Sequence, residues 1–145
     1  MGTSFDDVID LALVSIDDYT LMKLYQANET GFRNFCDGLL VRAIPNFFLC
    51  RQDLSYDMET RTFVSNLSPI EISILADFWC IEWFSRKINT ASQFQAKLQN
   101  NGNFRNHSEA QNLKEKTSWA DRLRERVYQK ITDYQLMDLS SLFQE

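Results

Sequence analysis

"LSPIEISILADFWCIEWFSRKI", residues Leu67 to Ile88, carries the strongest structural signal in the chain. Ser68 is an N-cap candidate, Pro69 stands at the first helical position and Glu71 at the third, which makes a capping box with the favoured proline. Ile70, Ile74, Leu75, Phe78, Trp79, Ile81, Trp83, Phe84 and Ile88 follow. They cover more than one stripe of a helix, so this segment is expected to be buried on most sides at the centre of the fold. A central helix with helical neighbours makes the fold class all-α, a helical bundle with a long C-terminal helix and one short β-hairpin.

Downstream, "TASQFQAKLQ" after Asn89 predicts a separate short helix with Phe94 and Leu98 inward, broken at Gly102 by "NNGN". Ser108 followed by Gln111 is a second capping box, opening a helix over about Glu109 to Gln135. Ala110, Leu113, Thr117, Ala120, Leu123, Val127, Ile131 and Tyr134 form its apolar stripe. At ~1.5 Å per residue this helix is about 40 Å long, more than a small domain spans. Part of it is expected to project or to pack on another subunit.

Upstream, Ser4 and Asp7 resemble a capping box before a helix over about residues 5 to 16, with Phe5, Val8, Ile9, Ala12, Leu13 and Ile16 at helical spacing. The stretch from Asp17 to Asn28 reads as a turn or an irregular helix. A further helix runs from about Glu29 to Ile44 and is ended by Pro45. Gly38 inside it suggests close packing against a neighbouring helix, because glycine otherwise costs about 1 kcal/mol relative to alanine there. "LSYDMETRTF" predicts a short hairpin turning around Glu59 and Thr60.

Composition limits what such a bundle does. The chain of 145 residues is 44% hydrophobic and 13% aromatic, with four Gly and two Pro, which suits one helical domain with a substantial core. Fifteen Lys and Arg against twenty Asp and Glu give a net charge of -5, the wrong sign for general nucleic-acid binding. The charge is uneven: Asp6, Asp7, Asp10, Asp17 and Asp18 crowd one end, and Arg122, Arg124, Arg126 and Lys130 the other. That asymmetry suits either two solvated helix faces or head-to-tail contact between copies. Three cysteines, Cys36, Cys50 and Cys80, without CxxC spacing indicate neither a disulfide framework nor zinc, and a reducing compartment. No apolar run is long enough to cross a bilayer and no secretory leader is apparent, so a soluble protein of intracellular origin is expected.

The chemistry is sparse. No phosphate loop, dinucleotide fingerprint, HExxH or GxSxG is present, and the single histidine, His107, stands just before a helix cap with no nucleophile or carboxylate paired to it by spacing. Asp53, Ser55, Asp57 and Glu59 alternate like the first ligands of a calcium loop, but Met58 occupies the place of the required glycine and Val64 that of the closing glutamate. No enzyme activity, metal or cofactor is expected.

The order of these segments is more telling than any one of them. "FDDVIDLALVSIDDY", "FRNFCDGLLVRAIPNF", "LSPIEISILADFWCIEWFSRKINTASQF" and "NFRNHSEAQNLKEKTSWADRLRERVYQKITDYQL" together resemble the head-to-tail connector proteins of tailed bacteriophages, the small helical adaptor or head-completion components of the virion neck. The resemblance spans nearly the whole chain. It implies a ring of copies, commonly twelve, that is made in the host bacterial cytoplasm and joins the capsid portal protein to further neck or tail proteins. DNA passes through the lumen without sequence-specific binding, and no membrane is involved. It further implies a helical connector domain over 1–135 and a docking tail over 136–145, with portal contacts from Tyr128, Tyr134, Leu136, Leu139, Leu142 and Phe143. In such a ring Asp6, Asp7 and Asp10 are expected to meet Arg122, Arg124 and Arg126 of the next copy. The other reading of the same residues is a cytoplasmic helical interaction or regulatory domain that binds a partner helix.

Overall fold

The computed structural model describes residues 2–16, 19–100 and 106–142. Its elements are α1 (Phe5–Val14), α2 (Tyr19–Ala27), α3 (Glu29–Ala43), a 3-10 turn at Ile44–Asn46, β1 (Tyr56–Asp57), β2 (Thr62–Phe63), α4 (Pro69–Asn100) and α5 (Asn106–Leu142). This is the expected mostly helical bundle with a long C-terminal helix and one short antiparallel hairpin.

Helix α4 starts as its sequence requires. The Ser68 Oγ accepts the Glu71 N–H at 3.3 Å, and the Glu71 Oε1 accepts the Ser68 N–H at 2.8 Å, a reciprocal cap. The helix then passes through the middle of the molecule. Trp79 is fully buried and donates its indole N–H to the Cys36 carbonyl on α3 at 3.0 Å, while the Cys80 thiol, one residue on, faces the Ala12 carbonyl on α1 at 3.6 Å. Neighbouring residues of α4 thus contact different helices, which is why the apolar positions exceed one stripe.

Helix α5 returns antiparallel along α4. Tyr134 meets Glu71, Lys130 meets Ser73, Arg126 meets Asp77 and Trp119 stacks on Phe84. Ala120, Leu123, Val127, Ile131 and Tyr134 are the buried stripe, as their spacing predicts.

Three boundaries differ from expectation. No break follows Asn89: α4 is continuous to Asn100, because "INTASQ" holds neither proline nor glycine, and residues of middling propensity do not stop a helix that is already propagating. The side chains of Phe94 and Leu98, and the predicted break at Gly102, lie outside the described set. Second, α5 begins at Asn106, ahead of Ser108, so the Ser108 and Gln111 pair lies inside the helix and does not cap it. Third, the last helix does not end near Gln135: α5 continues from Leu136 as far as Leu142, since nothing in "LMDLSSL" interrupts the hydrogen-bond ladder.

The stretch before α3 is more regular than its mixed composition suggests. Residues Tyr19–Ala27 form α2, and Asn28 then caps α3 by accepting the Gly31 N–H at 3.0 Å. The close-packing role expected of Gly38 is not found. Gly38 is exposed on α3, and a methyl group there would meet nothing within 4 Å.

The hairpin pairs Tyr56 with Phe63 and Asp57 with Thr62. The N-terminal residues are laid beside it: the Thr3 N–H reaches the Ser65 carbonyl at 3.1 Å, the Phe63 N–H the Thr3 carbonyl at 2.8 Å, and the Phe5 N–H the Arg61 carbonyl at 2.9 Å. Gly2 allows this approach, since a Cβ there would overlap the Phe63 carbonyl. The start of α1 is thereby tied to the loop before α4.

Candidate functional site

The C-terminal part of α5 carries a buried core stripe and a second, exposed row of mixed apolar and polar residues. The core stripe ends in Tyr134. The second row, at the spacing Tyr128, Thr132, Gln135, Leu139, lies roughly 100° round the helix at ~100° per residue, with Leu136 to one side of it. Tyr128, Leu136 and Leu139 are at least half exposed. The side chain of Leu142 and the whole of Phe143 lie outside the described residues.

Beside this second stripe is a groove of ≈ 460 Å³, lined by Leu49, Arg51, Thr132, Tyr134, Gln135, Leu136 and Leu139. One wall is α5, and the other is the loop after the 3-10 turn, where Phe48 is 82% exposed and Leu49 is partly so. Arg51 is the one charged residue of the lining, and its guanidinium lies over the Tyr134 ring, 4.1 Å from the centroid. Tyr134 holds the loop in place by accepting the Arg51 backbone N–H at 2.9 Å.

Tyr134 is therefore not a docking side chain. It is 1% exposed, and its hydroxyl donates to the Glu71 Oε2 at 2.7 Å inside the bundle. Its spacing from Ile131 and Val127 puts it on the core stripe, whereas Leu136 and Leu139 fall on the outer one.

Glu71 is the centre of a buried network that its reading as a capping residue does not anticipate. Its Oε1 accepts from Ser68 N–H and from Gln52 Nε2 at 2.7 Å, and its Oε2 accepts from Tyr134 and from the Cys50 thiol at 3.4 Å. Burial by itself raises the carboxyl pKa, but the donors from Ser68, Tyr134 and Gln52 outweigh it and hold Glu71 below the usual glutamate range. Burial pushes the Tyr134 hydroxyl and the Cys50 thiol up, so both stay protonated as donors.

Apart from Asp7, the charged residues assigned to subunit contacts have partners within the chain. Asp6 bonds Arg61 at 2.8 Å and Arg33 at 3.0 Å, Asp10 lies 3.7 Å from Arg33, and Arg61 also grips the buried Asp37 through two bonds of 2.7 Å. The Arg61 hydrogen bond, ahead of the opposing effect of burial, holds Asp6 below the usual carboxylate range. Arg126 reaches the buried Asp77 at 3.0 Å, with Lys130 2.7 Å from the same carboxylate. Arg124 bonds Asp121 at 3.1 Å, and Arg122 reaches Ser118 at 3.3 Å while lying over the Trp119 ring. Asp7 is exposed in the first turn of α1. Within one chain the N-terminal acids and the arginine row are not brought together: Asp6 is engaged on the hairpin side and Arg126 on α4.

The alternating residues before the hairpin make turns. Asp53 Oδ1 accepts both the Ser55 N–H and hydroxyl, and Asp57 Oδ1 accepts the Glu59 N–H. Among the described residues no group of three or more His, Cys, Asp or Glu is placed to hold a metal ion, and no helix is long and apolar enough to cross a membrane. The His107 side chain lies outside the described residues.

Sequence reasoning found one wall of the groove and missed the other. Phe48, Leu49 and Arg51 sit in a stretch with no regular periodicity; the available signal was an apolar run, "NFFL", directly after a helix-ending proline. Comparison with protein-family models, with curated proteins and with solved structures gives no match to this chain.

Proposed function

We propose that this chain is a structural assembly protein of the tailed-phage neck type, a ring-forming connector that docks on a portal protein through the C-terminal end of α5. The observation that carries this reading is the row of exposed apolar side chains on the outer face of α5, with a groove of mixed polar and apolar lining beside it. Contiguous exposed apolar surface rimmed by polar residues marks an interaction site. Tyr128, Leu136 and Leu139 supply the exposed apolar side chains here. The order of motifs along the chain supports the choice of the connector group, and the negative net charge suits a lumen through which DNA slides without sticking.

The deciding experiment is the mass in solution, by light scattering after size exclusion, of the chain alone and mixed with purified portal particles. A ring, or co-elution with the portal, is expected. A monomer that ignores the portal but binds an isolated amphipathic helix would replace this reading with that of a helix-binding interaction domain.

A further inference from the structure

Helices α1 and α5 both pack on α4 and leave between them a cleft of ≈ 190 Å³. Leu11 and Ser15 of α1, Ser73 and Asp77 of α4, and Arg126 and Lys130 of α5 line it. Two cations share the one buried carboxylate at its floor. Arg126 donates to the Asp77 Oδ1 at 3.0 Å, and Lys130, 2.7 Å from Oδ2, also donates to the Ser73 hydroxyl at 2.8 Å. Two positive groups against one negative group leave a positive charge over. The Arg126 side chain is 51% exposed, so the surplus lies where another acid can reach it.

The matching acid is on the neighbouring face of α1. Asp7, Leu11 and Val14 recur at four and three residues and therefore share one side of the helix. All three are exposed, Val14 to 85%. Asp6 and Asp10 meet Arg33, whereas Asp7 has no side-chain partner among the described residues.

We propose that this face pairs with the same face of a second copy. Asp7 of each chain enters the other's cleft beside Arg126 and Lys130, and the Leu11 and Val14 side chains close between the two helices. A second copy is the occupant because one patch holds both halves of the contact: an acid without a partner, an apolar centre and a surplus cation. Such self-complementarity is what a two-fold interface requires, since residue i then meets j and j meets i. Leu11 belongs to both halves, one turn from Asp7 and itself part of the cleft wall, so each copy can use the face only once. The contact closes as a pair and does not propagate round a ring. It is separate from the portal-docking end of α5 and does not depend on it.

The test is sedimentation of the full chain over a range of concentrations, with circular dichroism to confirm that each variant is folded. Reversible pairing is expected, weaker in about 0.5 M NaCl than at low salt. Asp7→Lys, at a position with no partner to lose, should weaken it at least about tenfold, the scale of one interfacial charge pair. Glu115→Lys makes the same change in net charge about three turns before Arg126 on α5 and should leave pairing unchanged. Leu11→Cys should form an intermolecular disulfide on mild oxidation, because a residue comes within the required Cα separation of about 4.4–6.8 Å of its own copy only near a two-fold axis.

A chain that stays monomeric at every concentration overturns the proposal, as does an association that Asp7→Lys and Glu115→Lys weaken equally. Association of the Leu11→Cys chain without cross-linking overturns the two-fold geometry. Loss of the pair in Asp7→Lys with portal co-elution intact supports the contact and leaves the neck reading standing. A pair that forms in a chain indifferent to every portal supports the contact and removes the neck reading.

Discussion

The centres built on Glu71 and on Arg61 each keep a carboxylate in the interior, by opposite means. Glu71, 2% exposed, accepts hydrogen bonds from four uncharged donors: Ser68 N–H, Gln52, Tyr134 and Cys50. Asp37, similarly buried, is held by a single cation, Arg61, which it shares with the half-exposed Asp6. Neutral donors satisfy a charge by number and geometry, whereas a guanidinium does it by charge and a bidentate fork. The first arrangement needs three chain segments to converge; the second needs one side chain at the right place. The Glu71 centre accordingly sits where α4, α5 and the 50–52 loop meet, and the Arg61 centre where the hairpin meets α1 and α3.

The comparison breaks most severely at Glu71. Glu71→Ala removes the α4 cap and leaves the Tyr134 hydroxyl and the Ser68 N–H without their acceptor, each such group costing about 1–3 kcal/mol, while Gln52 keeps the Asn66 carbonyl. A loss near 4 kcal/mol is expected in urea unfolding, with the Arg51 amide exchanging faster because its acceptor, Tyr134, loses its anchor. A loss under about 1 kcal/mol, the size of a cap alone, would mean that the network beneath the groove is not cooperative.

Arg61 sharpens the same comparison. It stands at φ 55, in the left-handed region that favours glycine. Arg61→Ala leaves Asp37 buried and unpaired and keeps the strained backbone, for a cost of about 3 kcal/mol; Arg61→Gly loses the same bonds but relieves the backbone, so it should be about 1 kcal/mol milder. The Arg61 side chain is 28% exposed and that of Asp6 38%, so salt screens this centre. In 0.5 M NaCl, roughly threefold physiological strength, the Arg61→Ala penalty should shrink while that of Glu71→Ala stays. Acid does not separate the two. Glu71 and Asp6 both have lowered pKa values in the fold, so each contributes stability above its unfolded value, near pH 4, that is lost as pH falls through the folded one.

What could be read from the sequence was local. The cap of α4, the core stripe of α5 and the hairpin turn each lie within a few residues, and a spacing rule finds them. The groove and the two centres join residues far apart: Arg51 to Tyr134 across 83 positions, Arg61 to Asp6 across 55. Clustering along the chain misleads for the same reason, since Asp6 and Arg126 belong to crowded sets of like charge yet find their partners on other elements. The row of Tyr128 to Leu139 was present in the sequence as well, but it is visible as a separate row only once Tyr134 is known to point the other way. The connector reading is of another kind: it rests on the order of segments, and the ring and the portal remain its tests.

The smallest expected effect is at Gly38. A glycine within a helix has two physical explanations, a close neighbour that excludes a Cβ or a position where no residue is penalised enough to matter. The structure removes the first, because a Cβ at this point of α3 would meet nothing within 4 Å. With no clash to set against it, Gly38→Ala narrows the unfolded ensemble and improves helix propensity, so the urea midpoint should rise by an amount equivalent to about 1 kcal/mol with an unchanged slope. Asp37 and Leu39 on either side are buried, so the gain requires that α3 keep its present rotation with Asp37 on Arg61. If the alanine destabilises the chain, the exposed face of α3 is covered by something, and a second copy in a ring becomes the first candidate to examine for that contact.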